Sequence, residues 1–306
     1  MRAIVTGATG FVGKELVREL TSNGIDVLAI VRNSKKIPEA WKNTAQIQLL
    51  YGDLHKLDEI DISSIKDVEF FYHLGWFGTS GMERADIDGQ LENVKSACEA
   101  VRLCKKCGCK TFINAGSIME YEVVKLMTSG NYVPGMSNIY STAKLTADFM
   151  ARTLANALHL KYINVIISNI YGAGEKSARF LNTTLRKMLK NEPVPLTHGN
   201  QIYDFIYITD AVKMICAAGI NGNSNESYYI GNSVQKPLKT FIEEMKEIVR
   251  SESDLHFGAV PLTAPTLGYN EFDTAKVERE LRISPSIDFR EGILKLKEYI
   301  MGENDE

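Results

Sequence analysis

The chain has 306 residues, of which 44% are hydrophobic and 24% charged, which suits one large α/β domain with a smaller domain appended. Its net charge is −3 and its lysines and arginines are scattered, so we expect no nucleic-acid partner. It opens directly on an apolar strand and has no stretch long enough to span a bilayer, so we expect no membrane partner and a cytoplasmic location.

An apolar strand opens the chain and runs into three glycines spaced three apart, followed by a helix at residues 14–20. Gly7 suits the tight turn, Gly10 lets a pyrophosphate approach the backbone, and Gly13 lets the helix pack closely on the strand. Free N–H groups at the start of the helix attract the phosphates, so the turn predicts a dinucleotide site. The same turn supplies the expected cofactor contacts Thr9, Phe11 and Val12.

Strands alternate with helices through the first two-thirds of the chain, which predicts a doubly wound parallel sheet of the Rossmann type. The expected strands are 27–31, 47–50, 68–74, 111–115, 162–167 and 228–231, and the expected helices are 86–107, 140–157 and 209–218.

The alternation stops after residue 168. A helix is expected at 177–190, an extended segment at 193–196, and mostly helix from 239 onward, with a proline break at 261–265. We therefore expect a dinucleotide-binding domain from 1–168 plus about 203–231. The remainder, about 169–202 plus 232–306, is expected to form a smaller, mostly helical substrate domain. Ligands of an open parallel sheet lie beyond the carboxyl ends of its strands, so this smaller domain would roof the cleft.

The cysteines number five, and an odd count is typical of a reducing compartment rather than of a disulfide scaffold. Cys104, Cys107 and Cys109 lie close together. A structural zinc site needs four ligands, and no further pair follows at finger spacing, so we predict no metal site. We interpret Gly108 as the residue that ends a long amphipathic helix.

The residue at the end of the second strand is the one expected to distinguish NADP(H) from NAD(H). Arg32 stands there and no carboxylate does, which favours NADP(H), because a guanidinium pairs well with a 2′-phosphate; NAD(H) stays open. The alternative interpretation is that Arg32 is a solvated loop residue that binds no cofactor. Asp53, just after the third strand, is predicted either to accept from the adenine amino group or to cap the next helix.

Tyr140 and Lys144 lie four residues apart on a predicted helix, so both side chains project from one face. A phenol is a poor acid or base at neutral pH, and a neighbouring ammonium favours its ionised form. Ser117 lies at the end of the fifth strand, where the carboxyl edge of the sheet would present its hydroxyl to the same cleft. The three residues together predict acid–base catalysis.

These residues together resemble the extended short-chain dehydrogenase/reductases, and among them the NAD(P)-dependent nucleotide-sugar epimerase/dehydratase/reductase group. The likeness extends over nearly the whole chain. The residues that carry it are Thr6, Gly7, Gly10 and Gly13; Gly52, Asp53 and Leu54; His73 and Leu74; Asn93; Ser117 and Tyr121; Tyr140 and Lys144; Asn169, Ile170, Tyr171 and Gly172; and residues 204–208.

The resemblance implies a catalytic set of Ser117, Tyr140 and Lys144. Tyr140 would exchange a proton with the sugar oxygen, Ser117 would hydrogen-bond that oxygen, and Lys144 would hold the nicotinamide ribose and lower the tyrosine pKa. It also implies a homodimer formed through the two long helices. Further cofactor contacts implied by the likeness are Arg32, Asp53, Leu54, Leu74, Gly75, Trp76 and Asn93. Substrate contacts are expected at Thr79, Ser117, Asn169, Arg179 and Tyr203.

Departures from the family pattern reduce the number of reactions that we expect this chain to catalyse. The 4,6-dehydratases of the family have an Asp-Glu pair after the catalytic serine or threonine, whereas this chain has Ile118 and Met119, so dehydration is not expected. Trp76 replaces a small residue, and would stack on substrate or lie in the core. Tyr203 replaces an arginine that contacts the nucleotide phosphates in UDP-sugar members, and Arg179 is a candidate to take over a diphosphate contact.

We therefore predict an NADP(H)-dependent 4-ketoreductase that acts on a nucleotide-linked 4-keto-deoxysugar. Arg32 is its main support, because cells keep NADPH as their reducing pool. An NAD-dependent nucleotide-sugar 4-epimerase needs the same three catalytic residues and is the alternative. A non-catalytic redox sensor is disfavoured, since such relatives lack the pair Tyr140 and Lys144 that this chain has.

Overall fold

The structure is a computed structural model that describes residues 1–63, 65–128, 133–262, 267–268 and 272–302. Its strands are β1 (Arg2–Thr6), β2 (Asp26–Val31), β3 (Ile47–Tyr51), β4 (Phe70–His73), β5 (Thr111–Ser117), β6 (Lys161–Ile167), β7 (Ile170–Tyr171), β8 (Val194–Leu196), β9 (Ile202–Tyr203), β10 (Ile206–Tyr207), β11 (Glu226–Ile230), β12 (Lys236–Pro237) and β13 (Leu255–Phe257).

Its α-helices are α1 (Phe11–Ser22), α2 (Ile87–Lys106), α3 (Glu120–Thr128), α4 (Asn138–Ala157), α5 (Phe180–Leu189), α6 (Ile208–Asn221), α7 (Leu238–Val249) and α8 (Phe289–Gly302). Short 3₁₀ helices span Ser34–Lys36, Glu39–Asn43, Leu54–Glu59 and Gly81–Ala85, and a π-helical turn spans Val277–Leu281. No helix in these ranges is long and apolar enough to cross a bilayer.

Seven strands form one parallel sheet in the order β11-β6-β5-β4-β1-β2-β3. Ala3 and Val5 of β1 pack in one apolar cluster with α1 and α6, while Ile4 packs in a second cluster with α2 and α4. Both faces of the sheet are therefore buried, as a doubly wound parallel sheet requires. The predicted Rossmann-type fold is confirmed.

From β1 the chain adds β2 and β3 towards one edge of the sheet, and it then adds β4, β5 and β6 towards the other edge. The topological switch point therefore lies between β1 and β4. The turn after β1 and the loop after β4 therefore open a crevice between them. A Cβ added to Gly7 would lie only 2.7 Å from the Gly75 backbone nitrogen, so the two turns touch.

The long periodic elements lie where the sequence predicts them. Asp86 caps α2 by accepting from the Gly89 N–H at 3.1 Å, and Gly108 ends it with a φ of +70°, as expected. Strand β5 runs two residues further than predicted because Gly116 and Ser117 still pair with β6. Ser117 is thus the last residue of β5, as expected.

The secondary structure predicted from the sequence is wrong at three other places. Helix α5 begins at Phe180 rather than at 177, because the side chain of Asn182 donates to the Ser177 carbonyl at 3.0 Å and stabilises a loop there. Helix α3 was not predicted. The segment from 239 onward is interrupted by β13, which pairs with β8. Residues 263–266, on which most of the expected proline break falls, lie outside the described residues.

Candidate active site

The glycine turn after β1 is too tightly packed for side chains. Gly7 has a φ of +67°, and a Cβ on Gly13 would lie 2.1 Å from the Gly7 carbonyl oxygen. Helix α1 begins after Gly10, which provides no side-chain cap, and its first turn has no acidic residue. Its N–H groups are therefore available to an anion, and this cradle fits a dinucleotide pyrophosphate. The predicted contacts Thr9, Phe11 and Val12 are half-buried at this turn.

The loop after β4 is held by side chains of α2. Asn93 accepts from the Phe77 N–H and donates to the Phe77 carbonyl, both at 2.8 Å. Gln90 accepts from the Trp76 indole N–H at 2.9 Å and donates to the Gly78 carbonyl at 3.2 Å. The loop is consequently fixed against the cleft. Sequence reasoning found Asn93 and missed Gln90, whose role depends on contacts twelve to fourteen residues away.

At the start of that loop, the Gly75 N–H donates to the Thr6 hydroxyl at 3.1 Å. The Thr6 hydroxyl is also hydrogen-bonded to His73 Nδ1, 3.0 Å away. Burial, with a smaller contribution from Lys144, lowers the pKa of His73 to about 3. His73 is therefore a neutral structural residue at neutral pH. Leu74, between His73 and Gly75, is half-buried.

Arg32 and Asp53 lie together at the far end of the crevice. Arg32 follows β2 directly, and its guanidinium lies 3.8 Å from the Asp53 carboxylate, with side chains 73% and 36% exposed. Asp53 also accepts from the His55 N–H at 3.0 Å and caps the helix Leu54–Glu59. The predicted capping role of Asp53 is confirmed, and it leaves one carboxylate oxygen near Arg32.

Ser117, Tyr140 and Lys144 are brought together at the carboxyl edge of β5. Each is buried, with 6–7% of its surface exposed. Tyr140 lies in the first turn of α4, and its hydroxyl is near enough to Ser117 for that side chain to influence its pKa. The Lys144 ammonium donates to the Ala115 carbonyl at 2.9 Å. A phenol and a hydroxyl thus meet at one point, which suits proton exchange with a substrate oxygen.

Two cationic side chains and two aromatic rings contact one another in series at this point. The Arg84 guanidinium lies 4.3 Å from the centre of the Tyr140 ring, and the Trp76 ring meets Tyr140 edge-on at 6.2 Å. The Lys144 ammonium lies 3.6 Å from the centre of the Trp76 ring. Trp76 is therefore part of the site rather than of a distant core. Arg84 was not predicted from the sequence.

Burial raises the pKa of Tyr140 above its usual value. Arg84, the Ser117 side chain and Arg179 oppose that rise, in that order. The cations that act on the phenol in this structure are therefore Arg84 and Arg179. The role of Lys144 in lowering the tyrosine pKa stays a prediction.

Glu120 is a buried acid beside Ser117 to which the sequence analysis gave no catalytic role. Only 3% exposed, it accepts from the Ser117 N–H at 2.7 Å and from the Asn164 side-chain amide at 3.4 Å. Burial and the nearby Asp148 raise the pKa of Glu120 to about 8, and burial lowers that of Lys144 to about 7. An acidic residue followed by an apolar helix was the only available signal.

The expected substrate residues lie in different surroundings. Asn169 donates to the Asp204 carbonyl at 3.1 Å, and buried Asp204 accepts from the Asn232 N–H at 2.7 Å, which joins two parts of the predicted substrate domain. Tyr203 lies close enough to Arg84 for the guanidinium to oppose the burial-driven rise of its pKa. Arg179 directly precedes α5 and makes no side-chain capping hydrogen bond, and Thr79 is exposed at the loop after β4.

In the described ranges, no three histidine, cysteine or acidic side chains are grouped as metal ligands would be. Cys104, Cys107 and Cys109 are buried free thiols. Burial raises the pKa of Cys107 to about 12 and raises that of Cys104 as well. Cys104 and Cys107 are therefore neutral packing residues at physiological pH.

Comparisons with known proteins agree with this geometry. A model described as "NAD dependent epimerase/dehydratase family" matches residues 3–231. CDP-abequose synthase from Salmonella typhimurium is 24% identical over 305 residues, which cover 96% of this chain and 96% of that protein. The dTDP-6-deoxy-L-talose 4-dehydrogenase (NAD(+)) from Aggregatibacter actinomycetemcomitans is 28% identical over 253 residues, which cover 80% of this chain and 89% of that protein.

A solved structure shares the fold. The UDP-glucuronic acid 4-epimerase from Bacillus cereus, in complex with UDP-glucuronic acid and NAD, superimposes with a TM-score of 0.81 at 20% identity. The match covers 99% of this chain and 100% of that one.

The buried Glu120 predicts a pH-dependent stability. Its pKa is raised from 4.5 to about 8, so the unfolded state ionises first and native stability falls as the pH rises from about 4.5 towards 8. We expect Glu120→Gln to gain stability relative to the wild type between pH 5 and 7, by at least about 1 kcal/mol in urea unfolding. Glu192→Gln, at an exposed position, is the control. A pH-independent difference for Glu120→Gln would contradict the assignment.

Proposed function

The chain belongs to the NAD dependent epimerase/dehydratase family, and we propose that within it the protein is an NADP(H)-dependent 4-ketoreductase of a nucleotide-linked 4-keto-deoxysugar. The family makes it an NAD(P)-dependent enzyme. The observation that carries the nucleotide-sugar reaction is the meeting of Ser117 and Tyr140 at the carboxyl edge of β5. The exposed Arg32 at the other end of the crevice supports the choice of NADP(H).

The residues of the chain divide the work between orientation and proton transfer. When bound, reduced nicotinamide supplies the hydride to the keto carbon. Ser117 orients the keto oxygen by a hydrogen bond, and the Tyr140 hydroxyl donates a proton to that oxygen as negative charge develops on it. Lys144, fixed by the Ala115 carbonyl, has further N–H donors for the nicotinamide ribose. The burial of all three catalytic side chains keeps bulk water from competing.

The same proposal assigns a ligand to each of the two predicted domains. Residues 1–168 and about 203–231 would bind the dinucleotide, and about 169–202 with 232–306 would bind the nucleotide sugar. Asp204 links these parts, because it accepts from both Ser168 and the Asn232 N–H. The cytoplasmic location stays a prediction.

Tyr140→Phe removes the proton donor and keeps the ring that Arg84 and Trp76 contact. We expect turnover to fall by ~10²- to 10⁴-fold while NADPH affinity stays within about twofold. The measurement is steady-state reduction of a nucleotide-linked 4-keto-deoxysugar, followed by the loss of NADPH absorbance. Tyr51→Phe, at an exposed tyrosine, is the matched control. A Tyr140→Phe variant that keeps most of its activity would refute the mechanism.

Arg32→Asp tests the cofactor. The guanidinium would pair with the 2′-phosphate, so we expect at least about tenfold weaker NADPH binding and little change for NADH in fluorescence titrations. Lys35→Asp changes the charge of an exposed neighbour in the same way and should leave the ratio of the two affinities unaltered. Equal losses for both cofactors would argue against NADP(H) recognition by Arg32.

An NAD-dependent nucleotide-sugar 4-epimerase is the second candidate. The observation in its favour is the Asp53 carboxylate 3.8 Å from Arg32, which partly neutralises the guanidinium and offers an acceptor to ribose hydroxyls. An epimerase would return the hydride to the other face of the same sugar and would retain its cofactor. NAD⁺ that survives gel filtration with the purified protein would favour this candidate over the reductase.

We also propose a homodimer formed through α2 and α4. These helices pack against each other, yet both leave large apolar side chains uncovered. Ile87 and Leu91 of α2 are 56% and 61% exposed, and Phe149 and Met150 of α4 are 64% and 51% exposed. A second copy of the same surface would bury them.

Phe149→Asp would place a charge in the centre of that interface. We expect the variant to sediment as a monomer at a concentration where the wild type sediments as a dimer, because an unpaired buried charge is costly. Met301→Asp, on α8, is a control with an equally exposed apolar residue. A wild type that sediments as a monomer, or a Phe149→Asp variant that remains a dimer, would contradict the proposal.

A further inference from the structure

Arg84 places its guanidinium over the ring of the catalytic tyrosine. It lies on the short helix Gly81–Ala85, between the loop after β4 and α2, and its guanidinium carbon is 4.3 Å from the centre of the Tyr140 ring. This distance is that of a cation–π contact, in which the ring attracts the charge and provides no oxygen acceptor. The N–H donors of the guanidinium therefore still need acceptors.

Those donors have no acceptor in the part of the chain that the structure describes. The Arg84 Nε atom is completely buried and has no hydrogen-bond partner, and the guanidinium forms no ion pair there. Burying a polar donor without a partner is unfavourable unless a ligand supplies the acceptor. Among the residues that the structure describes, ion pairs with a carboxylate are seen for Arg18, Arg32, Arg102, Arg152, Arg179 and Arg279.

The charges around Arg84 do not cancel it. Glu122 is the carboxyl group that its charge influences, but Glu122 is 4% exposed and already accepts from the Ser141 hydroxyl at 3.1 Å. Burial raises the pKa of Glu122, so its negative charge is disfavoured. The other cation that acts on Tyr140 is Arg179, which lies 3.6 Å from Glu175. Arg84 is thus an unneutralised cation at the reacting phenol.

We propose that Arg84 binds an anionic oxygen of the sugar nucleotide and thereby selects the substrate. This inference rests on the proposed function, which places the reacting sugar oxygen at the Tyr140 hydroxyl. Within reach of that point are the phosphate attached to the sugar and, in an acidic sugar, its carboxylate. Both present the paired oxygens that a guanidinium binds through two parallel N–H donors.

Calorimetric titration of the NADP⁺-saturated protein tests the proposal. The probes are UDP-glucose, dTDP-glucose, CDP-glucose and UDP-glucuronic acid, applied to the wild type, Arg84→Gln, Arg84→Lys and the control Arg290→Gln. Arg290 is an exposed arginine on α8 and undergoes the same chemical change. We expect Arg84→Gln to bind at least one probe about tenfold or more weakly than the wild type. Arg84→Lys should lie between them, because it keeps the charge and loses the paired donors.

The pattern of losses identifies the source of the oxygen. A similar loss for every probe that the wild type binds would indicate the phosphate, and a loss restricted to UDP-glucuronic acid would indicate the carboxylate. Arg84→Gln that binds all probes as the wild type does, even with a shifted pH profile of turnover, would overturn the proposal. A wild type that binds NADP⁺ but none of the four probes would overturn the proposed function, and this inference with it.

Discussion

The parallel direction of the central strands determines where every candidate site residue lies. Because each strand of the sheet ends at the same edge, the glycine turn after β1, the loop after β4 and Ser117 at the end of β5 are neighbours in space. The reversal of strand order between β1 and β4 then opens a crevice at that edge. An antiparallel strand in the centre would have sent one of these segments to the opposite edge.

The buried polar groups beneath this edge form a second constraint, because each needs a partner once it is removed from water. Asn114 donates to Asn164, Asn164 donates to Glu120, and Glu120 accepts from the Ser117 N–H. Side chains of β5, α3 and β6 thereby fix the backbone that carries the catalytic hydroxyl. The same burial disfavours the charged forms of both Glu120 and Lys144, so it raises the pKa of the acid and lowers that of the base. The attraction between the two charges opposes both shifts.

The sequence predicted the parts of this design that repeat or that have a special backbone. The alternation of strands and helices, the glycines Gly7 and Gly13, and the helical spacing of Tyr140 and Lys144 are local signals. Arg84 and Gln90 were invisible, because their roles arise only when one segment folds against another. The end of β5 and the start of α5 were misplaced for a related reason, since pairing with β6 and the loop contacts of Asn182 decide them.

The position of the Trp76 indole makes its fluorescence sensitive to the site. The chain has two tryptophans, and the other, Trp41, is buried in the cluster beside α1, on the opposite face of the sheet from the cluster that Trp76 packs against. Trp76 instead stands between the Lys144 ammonium and the Tyr140 ring. Indole emission responds to a charge held over its face, so the enzyme contains its own optical reporter. Any ligand that draws Lys144 away from the ring would change the colour of that emission, with no label attached to the protein.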